Sequence, residues 1–387
     1  MADAGTSAGA TAGRGLEGIV VAESELSLVD GTNGRLFYRG YEIHDLVESA
    51  SFEEVLYLLW YGELPTRAQL ADLTAQLVAA RTLSDHVMTV LRALPRGGEP
   101  IDALRVGVTV MGMEDADAFD LSREGLLARS IRLAGAMPTM LAAYDRLRRG
   151  AEPVAPDPEL GHAANFLYML RGERASELQE RAMEVYFVLL AEHSMNASTF
   201  SARVTLSALS DIYSAVSSAL GTLKGDAHGG ANRRAMEMLL AIGSADRAAE
   251  YVEESLRIKR RLMGLGHRIY KTRDPRVDHL MRYSQAVAAE QGDTTWHDLA
   301  TRLEQITSQH PYFLERKLYP NVEFYSAPLL YALLGAPDLM PAAFALSRIG
   351  GWTANLLEQA AANRIIRPQA AYVGPAPRPY VPLEQRG

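Results

Sequence analysis

The chain has 387 residues, 48% hydrophobic and 22% charged, which excludes a wholly disordered chain or a coiled coil and leaves room for two or three domains. Its net charge of −8 argues against sequence-independent nucleic-acid binding, and the lack of cysteine excludes disulfides, thiolate catalysis and zinc–sulfur sites. Residues 1–14 are mostly Ala, Gly, Thr and Ser, without the charged start and apolar core of a signal peptide, and read as a disordered tail. No apolar run approaches the ~20 residues that span a bilayer, so a soluble, cytoplasmic protein is expected.

Residues 18–23 and 26–29 read as extended. Asp30-Gly-Thr-Asn-Gly34 is a turn between 26–29 and 35–38, which predicts a small hairpin and little other β structure. Ser51-Phe-Glu-Glu54 matches a capping box ahead of an apolar helix that Gly62 and Pro65 stop, and Pro65-Thr66 opens the next. Helix then follows helix: 126–144, which Pro138 should kink or break, and, after a proline-rich link over 149–158, 163–170, 176–193, 198–209 and 211–220. In 176–193, Val185, Tyr186, Val188, Leu189 and Leu190 leave little polar face, the mark of a buried helix.

Beyond Gly230, the stretches 231–240, 245–263, 275–291, 295–308 and 327–334 alternate charged and apolar faces more clearly. They suggest a smaller, more exposed helical unit between glycine-rich joints. A last block covers 341–362, and the proline-containing tail 374–387 should be extended. The reading is all-α with a small N-terminal β-hairpin, in two domains: a large helical one over 15–224 and 334–387, and a small helical one over 225–333.

Among nine histidines, His44, His86, His162, His279, His297 and His310 read as surface or satisfied core residues. His193 ends the buried helix and leads into Asn196-Ala-Ser-Thr-Phe-Ser-Ala-Arg203, where a structural and a functional role are both open. His228 and His267 stand in Gly225-Asp-Ala-His228-Gly-Gly230 and Gly264-Leu-Gly-His267, turns where backbone bends sharply and a ligand can approach. No i, i+4 histidine spacing or nearby acid completes a ligand set, so no metal is expected, and neither a dinucleotide fingerprint nor a P-loop is present. What remains is neutral imidazole, a carboxylate at Glu323, and arginines, with Arg276, Arg348 and Arg367 as candidates. That kit suits carbon–carbon bond formation by proton abstraction next to a carbonyl, with imidazole donating to the enolate oxygen and arginines holding a polyanionic acceptor.

From residue 15 to about 374 the chain resembles the citrate synthase family, in its shorter, dimeric bacterial and archaeal form. Glu192-His193-Ser-Met-Asn196 is similar to the family segment whose histidine binds oxaloacetate, and Lys224-Gly-Asp-Ala-His228 to that whose histidine bonds the acetyl-CoA thioester oxygen. Gly264-Leu-Gly-His267 with Asp274-Pro-Arg276 resembles the stretch that polarises the ketone and binds a substrate carboxylate. The resemblance implies Arg348 and Arg367 as further oxaloacetate ligands, Arg367 reaching in from the partner of a homodimer. It implies Leu262, Gly264 and Leu265 as an adenine-recognising edge for CoA, with Lys271 and Lys317 near its phosphates. The expected reaction is acetyl-CoA, oxaloacetate and water to citrate and CoA, with no metal or other cofactor. The alternatives are a 2-methylcitrate synthase using propionyl-CoA and a catalytically weakened, ligand-binding family member.

Three departures stand out. Glu323 replaces the family's aspartate base, displacing the carboxylate by up to ~1.5 Å, where about 1 Å can cost on the order of 10²-fold in rate. Ala327-Pro328 replaces the usual glycine and should shift the backbone near Glu323. Asp226 stands two residues before His228 and should favour its charged form.

Overall fold

The computed structural model describes residues 14–16 and 18–386. The tail expected over 1–14 lies, up to residue 13, outside the described residues. Asp30 builds the predicted turn: its carboxylate accepts from the Thr32 and Asn33 N–H groups at 3.1 and 3.0 Å, and Gly34 closes it at φ 65°. Strand β1 (Ser27–Asp30) pairs antiparallel with β2 (Arg35–Tyr38), placing Val29 opposite Leu36. A third strand, β3 (Tyr41–Glu42), extends the sheet beside β2; two residues are too few to show alternation in sequence. Residues 18–23, expected to be extended, form no strand.

The remaining architecture is all-α, with seventeen α-helices among the described residues. Helix Phe52–Tyr61 carries the capping box read from its sequence, Ser51 Oγ accepting from Glu54 N–H at 3.2 Å and the Glu54 carboxylate from Ser51 N–H at 2.7 Å. Thr66 and Gln69 repeat the device for helix Arg67–Ala79. Pro138, expected to kink or break its helix, does not break it: it sits within one 26-residue helix, Arg123–Arg148. The lost backbone bond is offset by burial of this stretch against the core. The helix expected over 245–263 stops at Arg257, where Lys259 turns left-handed at φ 57°.

Helix Met340–Ala361 runs through the core and brings the site together. A Cβ on Gly350 would lie 2.5 Å from Leu56 Cδ2, and one on Gly351 would lie 2.3 Å from Ala191 O. Without those side chains the turn carrying His193 docks on this helix, and Gly351 N–H donates to Ala191 O at 3.1 Å. Among the described residues no single helix is long and apolar enough to cross a membrane.

Candidate active site

Gly264 and Gly266 adopt φ 78° and 82°, so the backbone turns twice within three residues just before His267. This loop pairs with the segment before Glu323: Gly266 N–H donates to Tyr319 O at 2.7 Å and Asn321 N–H to Gly264 O at 2.9 Å. Asn321 then caps helix Val322–Leu334 by accepting from Glu323 N–H at 3.1 Å. The hairpin turn braces the far side of the loop, with Lys271 N–H donating to Gly31 O at 2.9 Å. A Cβ on Gly31 would meet Ile269 O at 2.4 Å, so only glycine permits that approach.

Backbone donors fix the protons of two imidazoles. His267 Nδ1 accepts from the Ile269 and Tyr270 N–H groups at 3.0 and 3.1 Å, which leaves its proton on Nε2. His228 Nε2 accepts from Ser198 N–H at 3.3 Å, which leaves its proton on Nδ1, and the Ser198 hydroxyl lies 2.7 Å from the same nitrogen. Burial, reinforced by Arg348, pushes His228 down to about 4, and burial with Arg276 does the same to His267. His193 is held well below its ordinary value by burial and by Arg276, so all three rings are neutral donors near neutral pH. His193 and His267 meet edge to face with centroids 5.4 Å apart.

Two guanidinium groups share this interior. Arg276 Nε and Nη2 donate to Asp274 at 2.9 and 2.7 Å, a buried bidentate pair. Arg348 is 1% exposed; its Nε donates to Leu190 O at 2.6 Å and its guanidinium lies 4.8 Å over the Phe344 ring. No carboxylate is within ion-pair distance of Arg348 among the described residues. A buried cation without such a partner is costly, and a dicarboxylate seated beside Arg276 and Arg348 would relieve it. Arg367, by contrast, is exposed, in the irregular segment after the last long helix.

Glu323 retains partial exposure. Burial raises its carboxyl above the ordinary value, while Arg276 opposes the shift. No hydrogen bond joins Glu323 to His228 or His267 among the described residues; Arg276 and Asp274 act on both Glu323 and His267. A cavity of about 720 Å³ opens beside His267, with Leu262 and Leu265 in its wall and Lys259, Arg260, Arg261 and Arg268 around them. Gly264, Lys271 and Lys317 are not in its lining; Lys317 is exposed and the Lys271 ammonium donates to Arg268 O at 3.0 Å. No group of three or more His, Asp or Glu residues placed to hold a metal is found among the described residues.

The sequence profile described as "Citrate synthase, C-terminal domain" matches residues 15–369. The chain belongs to the citrate synthase family. It is 46% identical over 379 residues to the citrate synthase of Haloferax volcanii, covering 96% of this chain and 98% of that one. It is 38% identical over 379 residues to 2-methylcitrate synthase 1 of Corynebacterium glutamicum, with coverage of 96% and 98%. A ternary complex of carboxymethyl coenzyme A and oxaloacetate with the citrate synthase of Thermoplasma acidophilum has a TM-score of 0.92 to it at 30% identity, covering 96% of this chain and 99% of that one.

One departure from the citrate synthase pattern, Asp226, loses its expected effect in this fold. Asp226 pairs with Arg234 at 2.9 Å on the exposed side, and His228 is pushed down rather than up. Pro328 lies inside a continuous Val322–Leu334 helix, more than a turn beyond Glu323. His162 also differs from a satisfied core histidine: it is buried, its Nε2 has no partner, and burial pushes it to about 3. His44 and His279 bond to each other at 2.7 Å.

Ser198, Tyr270 and Asn321 belong to the site without having stood out in the sequence. The Tyr270 hydroxyl lies 3.3 Å from His193 Nε2 while its ring sits 4.7 Å from that of His267. Its one sequence signal is its place directly after His267-Arg-Ile. The basic triplet Lys259-Arg-Arg261 ahead of Leu262 is the corresponding signal for the cationic cavity wall.

Proposed function

We propose that this chain condenses acetyl-CoA with oxaloacetate and water to give citrate and CoA, by enolisation of acetyl-CoA and hydrolysis of citryl-CoA. The observation that carries the reading is the pair of neutral imidazoles, each with a backbone N–H on one ring nitrogen and its own proton on the other. Glu323 takes a methyl proton of the thioester, its raised pKa making it the stronger base. His228 donates from Nδ1 to the thioester oxygen as negative charge gathers there, a contact that strengthens toward the transition state. The enolate carbon attacks the ketone of oxaloacetate, whose oxygen accepts the His267 Nε2 proton. Water then attacks the citryl thioester and CoA leaves.

His193, Arg276 and Arg348 hold the dicarboxylate, and Arg367 of a second copy completes its binding. The exposure of Arg367 supports that role. The CoA adenine lies along the backbone of Leu262, Gly264 and Leu265, with Lys259, Arg260, Arg261 and Arg268 nearest the phosphates and Lys271 and Lys317 as outer cations. Residues 225–333 form a small mobile unit that closes over 15–224 and 334–387 and excludes water. A reducing cytoplasm suits a chain with no cysteine.

The 38% identical 2-methylcitrate synthase motivates a second reading in which propionyl-CoA is the donor. One methyl alters discrimination by ~1–3 kcal/mol, about 10–200-fold. Steady-state kcat/KM for the two acyl-CoAs, each with oxaloacetate, decides between them: a preference for acetyl-CoA is expected, and a propionyl-CoA preference would replace the first reading with the second.

A further inference from the structure

Helix Met340–Ala361 ends at Ala362 without a backbone capping bond, so side chains set the path of the chain beyond it. Asn363 Nδ2 donates to Ser207 O at 3.2 Å, and Ile366 N–H donates to Ser207 Oγ at 3.0 Å. Gln359 Nε2 donates to Asn363 Oδ1 at 3.0 Å and to Arg364 O at 3.5 Å. Behind Gln359, Arg203 donates from Nε to Gln359 Oε1 and from Nη1 to Asn355 Oδ1, each at 3.0 Å. Arg203, Ser207, Asn355 and Gln359 are at most 6% exposed, so the exposed Asn363 and half-buried Ile366 are held against a buried base.

The network also reaches the substrate side. Asn355 Nδ2 donates to Glu192 Oε2 at 3.2 Å, and Glu192 precedes His193. Beyond Ile366, the hydrogen bonds made by residues 367–386 among the described residues stay inside the tail, as with Tyr372 to Pro375 O and Arg386 to Val381 O. The clip at Asn363 and Ile366 is therefore the last hydrogen-bonded hold on the chain before Arg367.

We propose that Asn363, gripped by Ser207 and Gln359, is a positioning residue for Arg367: it fixes the exit of the tail so that the Arg367 guanidinium meets the dicarboxylate in the site of a second copy of the chain. This rests on the role given to Arg367 above. A tail released from the clip would have to be ordered on every binding event, and that loss falls on oxaloacetate and not on CoA.

The test is a double-mutant cycle on the full-length protein, measuring KM for each substrate in Asn363→Ala, Arg367→Ala and the double variant, together with Tm. Asn363→Ala is expected to raise KM for oxaloacetate by about tenfold, with KM for acetyl-CoA and Tm unchanged. In the Arg367→Ala background the same substitution should add less than about twofold. Asn363→Asp, which keeps the acceptor for Gln359 and loses the donor to Ser207, should fall between. An equal rise in both backgrounds, or no rise beside native Arg367, overturns the clip while leaving the role of Arg367 intact. An unchanged KM in Arg367→Ala alone removes that role, and the clip with it.

Discussion

The Asn321 side-chain amide donates to Gly266 O at 2.9 Å, so the residue that caps the Glu323 helix also holds the loop of His267. Asn321→Ala removes both bonds and is expected to lower kcat by about 10²-fold, the effect of ~1 Å of misplacement, with a loss of ~1 kcal/mol for the cap. Asn321→Asp keeps the acceptor and loses the donor, so its Tm should stay near native while kcat still falls. Steady-state kinetics beside thermal unfolding separates the two contributions, and an unchanged kcat in both variants would show that the bond to Gly266 does not align the site.

The protonation pattern predicts the shape of the pH profile. Burial holds His228 and His267 down to about 4 and pushes Glu323 above 4.5. As pH falls, Glu323 is then the first of the three to take a proton, and kcat/KM should fall on the acid side as Glu323 titrates, before either imidazole is protonated. An acid limb left unmoved by Glu323→Asp would reveal a titrating imidazole instead. Stability depends on the same histidines: the unfolded chain binds their protons near 6.5, the folded chain only near 4. Stability present above 6.5 should therefore be lost progressively as pH falls through that window.

Ser198 links the His228 ring to the core, its hydroxyl lying 2.7 Å from His228 Nε2 and accepting from Trp352 Nε1 at 3.0 Å. Ser198→Ala leaves the backbone donor on His228, so kcat should fall by about tenfold without vanishing. The buried Trp352 N–H loses its acceptor, at ~1–3 kcal/mol. Denaturant unfolding with kcat reads both, and a native-like unfolding free energy would mean that Trp352 finds another partner.

How much of this was legible in the chain depends on distance along it. The Asp30 turn and the Ser51–Glu54 capping box close within three residues, so local chemistry alone specifies them. Ser198 meets His228 across thirty residues, and His193 meets Tyr270 across seventy-seven. Those pairings come from packing, and no local pattern carries them. Pro138 shows the converse: a local breaker did not end its helix, which is buried along this stretch. Asp226 misled because nearness in sequence to His228 did not mean nearness of charge once Arg234 had claimed it.

Gly264 is predicted to resist substitution for two independent reasons. Its φ is 78°, and a Cβ there would lie 2.9 Å from Phe324 Cα. Gly264→Ala should cost ~1–3 kcal/mol and, by moving the edge proposed to hold CoA, raise KM for acetyl-CoA more than KM for oxaloacetate. Equal changes in both KM values would detach this loop from CoA binding.

The most direct test of the account is CoA release from acetyl-CoA by the native protein and by Glu323→Gln, each with and without oxaloacetate. Release should require oxaloacetate, and Glu323→Gln should lower kcat by at least about 10²-fold with oxaloacetate binding unchanged in a direct titration. Release by Glu323→Gln at the native rate would contradict the assignment of the proton-abstracting group, and with it the mechanism.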